Sequence, residues 1–273
     1  MPTNYNTVVL ATAGLVNFYE TNEASGSTAP DSVGTNTGAL NSGVTKGATG
    51  LTAGGGTDYA FGAANSGVTS STPFVPGGSS VFSVEWLMKP SARPSVMGWC
   101  QVGPNDKASG GFVVWGDDST APSITVNGSV RISGGSPISI GTVYHVVVTY
   151  DGTNWRLYIN ATQRYASPPS DPAPVFTSGF KFGGGIPGFG PNTLTYSQFV
   201  GTMGKLAFYN VALSSSTVTN HYNNIPTDTT GSILDTGMSG GFARKAAAML
   251  GGFSAFRRIF DLNPQGIYVP QGA

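Results

Sequence analysis

One cysteine, Cys100, stands in a chain of 273 residues, and this excludes an internal disulfide and any zinc site built from clustered cysteines. Charge is scarce as well. Only 10% of the residues are Asp, Glu, Lys or Arg, and 13 basic side chains balance 13 acidic ones, so the whole-chain surplus that marks a nucleic-acid binder is missing. Histidine is limited to His145 and His221, and neither has carboxylates at metal-ligand spacing. No apolar run is long enough for a membrane-spanning helix. The opening "MPTNYNTVVLATAGL" has no basic region and too short an apolar stretch for a signal peptide. The expectation from it is a protein kept in the producing cell or released without an export signal.

What is abundant points to strands and turns. Glycine reaches 40 residues and proline 18, a composition that disfavours helices and suits short strands joined by tight connections. In "VYHVVVTYDGTNWRLYIN", Tyr144, Val146, Val148 and Tyr150 alternate with Val143, His145, Val147 and Thr149. After the turn, Trp155, Leu157 and Ile159 share a face. Asp151-Gly152-Thr153-Asn154 between the two runs predicts a hairpin. Further strands are expected at "SVFSVEWLMKP", "VMGWCQVG", "GGFVVWG", "SITVNG", "FKFGG" and "GTMGKLAFYNVAL". One short helix is expected at "SSSTVTNHYNN", where Ser214 to Ser216 offer capping hydroxyls, with His221 on its surface. Many strands and almost no helix imply a sandwich or jelly roll.

Four stretches carry a family resemblance: residues 14–40, "FSVEWLMKP" at 82–90, "YHVVVTYDGTNWRLYIN" at 144–160 and "FVGTMGKLAFYNVALSSSTVTNHYN" at 199–223. Their order resembles the laminin-G-like, concanavalin-A-like jelly rolls over residues 12–225. The fold expected is therefore an all-β jelly-roll sandwich. Residues 1–11 would form an N-terminal arm or first strand, 226–241 a linker and 242–273 a C-terminal amphipathic helical tail with an extended arm. That fold serves adhesins, carbohydrate-binding modules, glycosidase accessories and phage structural proteins alike. Calcium is the one cofactor the resemblance would bring, because Asp31 and Asp58 match acidic positions of the family's early loops. Two carboxylates fall short of the six to eight oxygens calcium takes, and Gly204-Lys205 replaces the Asp-Glu pair that such proteins often carry in the penultimate strand. A turn role for Asp31 is the stronger expectation.

Catalytic patterns fail on their context. Gly183, Gly185 and Gly188 have dinucleotide-motif spacing, but Pro187 and Pro191 prevent the helix that should follow. Gly237-Met238-Ser239-Gly240-Gly241 has the form of a nucleophile elbow, yet both histidines precede it. Glycoside hydrolysis needs two carboxylates flanking one bond, whereas Glu85 has only Ser83 and Leu87 at the alternate positions of its strand. Glu85 therefore reads as a structural residue and His145 as a packed one, so no catalytic set is expected. Among the aromatic residues, Trp99 and Trp115 alternate with apolar neighbours and are expected in the core. Phe189 and Tyr196 are the candidates for stacking on a sugar.

The tail differs in kind. Residues 240–273 hold Arg244, Lys245, Arg257 and Arg258 against Asp261 alone. Phe242, Ala246, Met249, Phe253, Phe256 and Phe260 fall on one helical stripe, interrupted by Gly251-Gly252. Beyond them, "DLNPQGIYVPQGA", with Tyr268, reads as an extended arm. Docking on another protein subunit ranks first for this segment, fold-back onto its own domain second and membrane binding third. The candidate partner-binding residues are thus Phe242, Met249, Phe253, Phe256, Arg257, Arg258, Phe260 and Tyr268. A polar jelly roll with an attachment tail is similar to phage capsid decoration and minor tail proteins. The leading expectation is a non-enzymatic virion component, assembled in the host cytoplasm and oligomeric on the particle. Its partner would be a major capsid or tail protein, with a cell-surface glycan as a further one. A carbohydrate-binding module or adhesin is the alternative, and a glycoside hydrolase the third.

Overall fold

The computed structural model describes residues 4–52, 56–62, 66–72, 81–92, 97–103, 111–116, 121–126, 129–166, 179–183 and 197–226. The first element is a helix, α1 (Tyr5–Leu10), where an arm or strand was expected. Asn4 caps it by accepting the Thr7 N–H through its side chain, which satisfies one of the donors a helix start leaves open. Its inward residues Tyr5 and Val9 are buried. The strands follow in the order β1 (Leu15–Tyr19), β2 (Thr28–Ala29), β3 (Gly38–Leu40), β4 (Val44–Thr49), β5 (Thr57–Phe61) and β6 (Val68–Ser70). Next come β7 (Phe82–Pro90), β8 (Met97–Val102), β9 (Phe112–Gly116), β10 (Ser123–Val126), β11 (Ser129–Ser133), β12 (Tyr144–Tyr150) and β13 (Trp155–Ile159). The last are β14 (Thr162–Ala166), β15 (Phe180–Phe182), β16 (Ser197–Gln198) and β17 (Gly201–Tyr209), before the helix α2 (Ser215–Asn223).

Over the described residues these strands form two sheets. One runs β14-β13-β12-β7-β17-β5-β4, with β1 on β17; the other runs β11-β10-β9-β8-β15-β6-β3-β2, with β16 on β8. Pairing is antiparallel except for β16 on β8, and the result is the jelly-roll sandwich expected of the sequence. The period of two explains the core between the sheets. Phe82, Val84, Trp86 and Met88 of β7 meet Val146, Val148 and Tyr150 of β12 and Trp155, Leu157 and Ile159 of β13 on one inner face. Phe112, Val114, Cys100, Phe180 and Phe182 come from the opposite sheet. Phe82 stacks on Phe112 at 5.5 Å between ring centres, and Trp155 meets Phe112 edge-on at 5.1 Å. Each such ring contributes roughly 1.5–3 kcal/mol by leaving water.

The 144–160 hairpin forms as expected. Val148 pairs with Leu157, Gly152 takes the positive φ of 94°, and Asp151 Oδ1 accepts the N–H groups of Thr153 and Asn154 at 3.0 and 2.8 Å. A second hairpin, β13 to β14, turns on Asn160 and Ala161, both at positive φ. This conformation is rare for alanine, and the Asn-Ala pair consequently carries little turn signal.

The outward face of the first sheet is covered too. Leu87 of β7, Val147 of β12, Tyr158 of β13 and Tyr209 of β17 form a second apolar cluster with Tyr5 and Val9 of α1 and Val218 of α2. The helices therefore make a third, partial layer.

Candidate functional site

The outward face of the second sheet is built from the residues that alternate with its core positions. Thr69 in β6, Lys181 in β15, Gln101 in β8, Val113 in β9 and Thr125 in β10 fall in one row across five strands. Their strand neighbours Val68, Phe180, Phe182, Cys100, Val102, Phe112, Val114, Ile124 and Val126 are core residues. A cavity of about 240 Å³ opens on this face, lined by Thr69, Ser70, Ser71, Gln101, Gly103, Gly179, Phe180 and Lys181. Burial holds the Lys181 ammonium below the usual lysine range. Beside the row, Trp115 is partly exposed, and its indole N–H donates to the Thr125 hydroxyl at 2.9 Å. Trp99 is in the core as expected, at 0% exposure. Trp115 is not: it alternates in β9 with Phe112 and Val114, which face the core, while the register break between Gly98 and Cys100 in β8 lets Trp99 and Cys100 both turn inward. Gln101, Val113 and Thr125 of this row are buried, whereas Thr69, Lys181 and Trp115 are partly exposed. A flat aromatic surface on a face that also carries polar side chains can take an apolar sugar face and its hydroxyls together.

A different polar group lies under the helices, on the outer side of the first sheet. Glu85 is fully buried. Its Oε1 accepts from the Tyr5 hydroxyl at 2.6 Å and His145 Nε2 at 2.8 Å. Its Oε2 accepts from the Tyr209 hydroxyl at 3.0 Å and His221 Nδ1 at 2.9 Å. The Thr12 hydroxyl lies 2.7 Å from the Val8 carbonyl and 2.8 Å from His221 Nε2. Burial opposes ionisation of Glu85, but the hydrogen bonds from the two histidines overcome it and hold the carboxyl well below its ordinary range. The Tyr5 hydroxyl is pushed up, first by burial and then by the Glu85 charge. His221 is not on the helix surface as the sequence suggested. It is buried because Val218 and His221 of α2, with Ile225 just past its end, face the sheet, a spacing of three and four that the sequence does carry.

Across residues 61–219, more than half of its length, the sequence matches the family model of the concanavalin A-like lectin/glucanases superfamily. The chain belongs to this superfamily. Trypanosoma rangeli sialidase in complex with sialic acid superposes with a TM-score of 0.58 at 17% identity, over 80% of this chain and 34% of the sialidase. The same enzyme with 2,3-difluorosialic acid gives 0.59 with the same coverage. The chain thus spans about a third of the sialidases it matches. Domain 4 of AbnA, a GH43 extracellular arabinanase from Geobacillus stearothermophilus in complex with arabinotriose, gives 0.50 at 18% identity, over 76% of this chain and 98% of that domain. Identities this low establish a shared fold. Among curated proteins no sequence matches.

In this concanavalin A-like chain the two acidic residues considered for calcium do not share a site. Asp31 organises its own turn, as expected: Oδ1 accepts the N–H groups of Phe18, Val33 and Gly34, and Oδ2 those of Asn36 and the Asn17 amide. Asp58 faces the Lys205 ammonium, 3.2 Å away. With donors on both carboxylates, neither fits a calcium ion. No group of three or more His, Cys, Asp or Glu suited to a metal occurs among the described residues. Phe189 and Tyr196, and the tail candidates Phe242, Met249, Phe253, Phe256, Arg257, Arg258, Phe260 and Tyr268, lie outside the described residues.

Proposed function

We propose that this chain carries a non-catalytic carbohydrate-binding module. The observation that carries the reading is Trp115, half-buried on the outer face of the second sheet, with Lys181 and Thr69 partly exposed on the same face. The likeness to an arabinanase domain whose structure holds arabinotriose supports it, as does the sealing of Glu85 at 0% exposure, away from any substrate. A panel of neutral and acidic oligosaccharides, arabinotriose among them, tests it by calorimetry or immobilised-glycan binding. A bound glycan should lose about 5- to 30-fold in affinity in Trp115→Ala, the equivalent of roughly 1–2 kcal/mol for a buried aromatic contact. An empty panel, or a Trp115→Ala protein that binds unchanged, would refute it.

Display of this module on a phage particle through residues 242–273 is the second proposal. It rests on the sequence of that segment alone, where Phe242, Met249, Phe253, Phe256 and Phe260 alternate with Arg244, Lys245, Arg257 and Arg258.

A further inference from the structure

Lys205 is a lysine in an improbable place. It is 2% exposed, sits at a φ of 57°, and falls where β17 breaks register with β7 between Gly204 and Ala207. Lysine is almost never buried without a partner, and a side chain other than glycine, asparagine or aspartate seldom holds that backbone conformation. The surroundings account for both. Lys205 Nζ donates to the Glu20 carbonyl at 2.6 Å and lies 3.2 Å from Asp58 Oδ1. The Lys205 backbone N–H donates to Thr21 Oγ1 at 3.2 Å, and the Thr21 hydroxyl is 2.6 Å from Asp58 Oδ1. Asp58 Oδ2 accepts the Leu51 N–H at 2.7 Å. Thr21 and Asp58 are buried as deeply as the lysine.

Three separate parts of the chain converge here: the end of β1, strand β5 with the residues before it, and β17. Gly204 makes the convergence possible, since a Cβ there would overlap the Asp58 carboxylate and the Thr21 hydroxyl. Burial by itself raises the Asp58 carboxyl, and the Lys205 ammonium, the Thr21 hydroxyl and the Leu51 N–H pull it back. An anion in this position needs a cation against it.

We infer that the Lys205 ammonium is the resident cation of this site, joining the Glu20 carbonyl and the Asp58 carboxylate as a bound metal ion would, so that this part of the sandwich coheres without metal. The disagreement between the calcium implied by the family resemblance and the donors found around Asp58 then has a physical reason: the place for positive charge is filled covalently.

Thermal unfolding of the full chain tests this with EDTA and with millimolar CaCl2. The melting temperature should stay within about 1 °C in both, whereas a fall in EDTA that calcium restores would overturn the inference. Lys205→Met keeps the stem and loses the charge, and breaking a buried pair in a domain this size should lower the melting temperature by roughly 6–20 °C. Asp58→Asn combined with Lys205→Met removes both charges and should recover part of that loss. A Lys205→Met protein as stable as the parent, or a double variant no better than the single one, would show that the ammonium does not hold the site. If Lys205→Met fails to fold, the EDTA comparison on the unaltered chain still decides. Lys205→Ala gives an independent readout, because the opened space should admit methylammonium, whose saturable stabilisation of this variant and not of the parent is expected. Equal effects on both would count against the inference.

Discussion

Glu85→Gln changes one atom of a buried side chain, and the arrangement around it sets the size of the effect. Four side chains donate to the carboxylate: Tyr5, His145, His221 and Tyr209. A carboxylate accepts through both oxygens, but a glutamine amide offers one oxygen and one NH2. Whichever way the amide turns, a donor meets a donor on the other side. If its NH2 points to Oε2's place, it confronts the Tyr209 hydroxyl and His221 Nδ1; if it points to Oε1's, it confronts the Tyr5 hydroxyl and His145 Nε2. A hydrogen bond to a buried charged group is worth about 1.5–3 kcal/mol, and leaving one member of a buried pair unmatched costs about 3–5 kcal/mol. At roughly 2–4 °C per kcal/mol for a domain of 150–250 residues, the melting temperature should fall by roughly 6–20 °C. Calorimetry and far-UV circular dichroism measure it. Below the shifted transition the variant should bind any glycan ligand as the parent does, because the cluster and Trp115 lie on different sheets. A melting temperature within 2 °C of the parent would refute the argument from saturated acceptors. A measurable parental hydrolysis lost in this variant would refute the non-catalytic reading.

The same cluster predicts the acid limb of stability. The folded Glu85 carboxyl lies below its ordinary value of 4.5, so its contribution is complete above about pH 5 and is lost as the pH falls towards the folded value. Asp151, drawn down to about 2 by the Asn154 and Thr153 N–H groups and Arg156 against the opposing effect of burial, acts in the same direction. Asp58, raised by burial, acts in the opposite one. The melting temperature should therefore decline between pH 5 and pH 2 in the parent, and the slope should be shallower in Glu85→Gln; parallel curves would exclude Glu85 as the source. Truncation after Asp228 should leave a soluble protein with one cooperative β-type transition, while truncation after Asn224 should be less stable because it removes Ile225, a member of the apolar cluster between α2 and the first sheet. Equal stability of the two would show that Ile225 contributes nothing there.

Periodicity along the chain determined the strands, the 144–160 hairpin, the helix capped by Ser214 and hence the class of fold, because each depends on residues close in sequence. "FSVEWLMKP" shows the limit. Its alternation places Glu85 opposite Phe82, Val84, Trp86 and Met88, but says nothing of what covers that other face. The partners Tyr5, His145 and His221 lie 80, 60 and 136 positions away, and α1, which supplies Tyr5, resembles an arm when read alone. Trp115 looked like a core residue because its neighbours are apolar, but its alternation with Phe112 and Val114 puts it on the other face, and only the sandwich showed which face of this strand meets the core. Lys205 read as the loss of an acidic position, and only the approach of Glu20, Thr21 and Asp58 turned it into a partner for buried charge. Local pattern records which residues need burial or a turn, because those needs act over a few bonds. Which donor meets which acceptor is decided by strand order and by layers closing over one another, and a buried charge finds its partner only when the sandwich is complete.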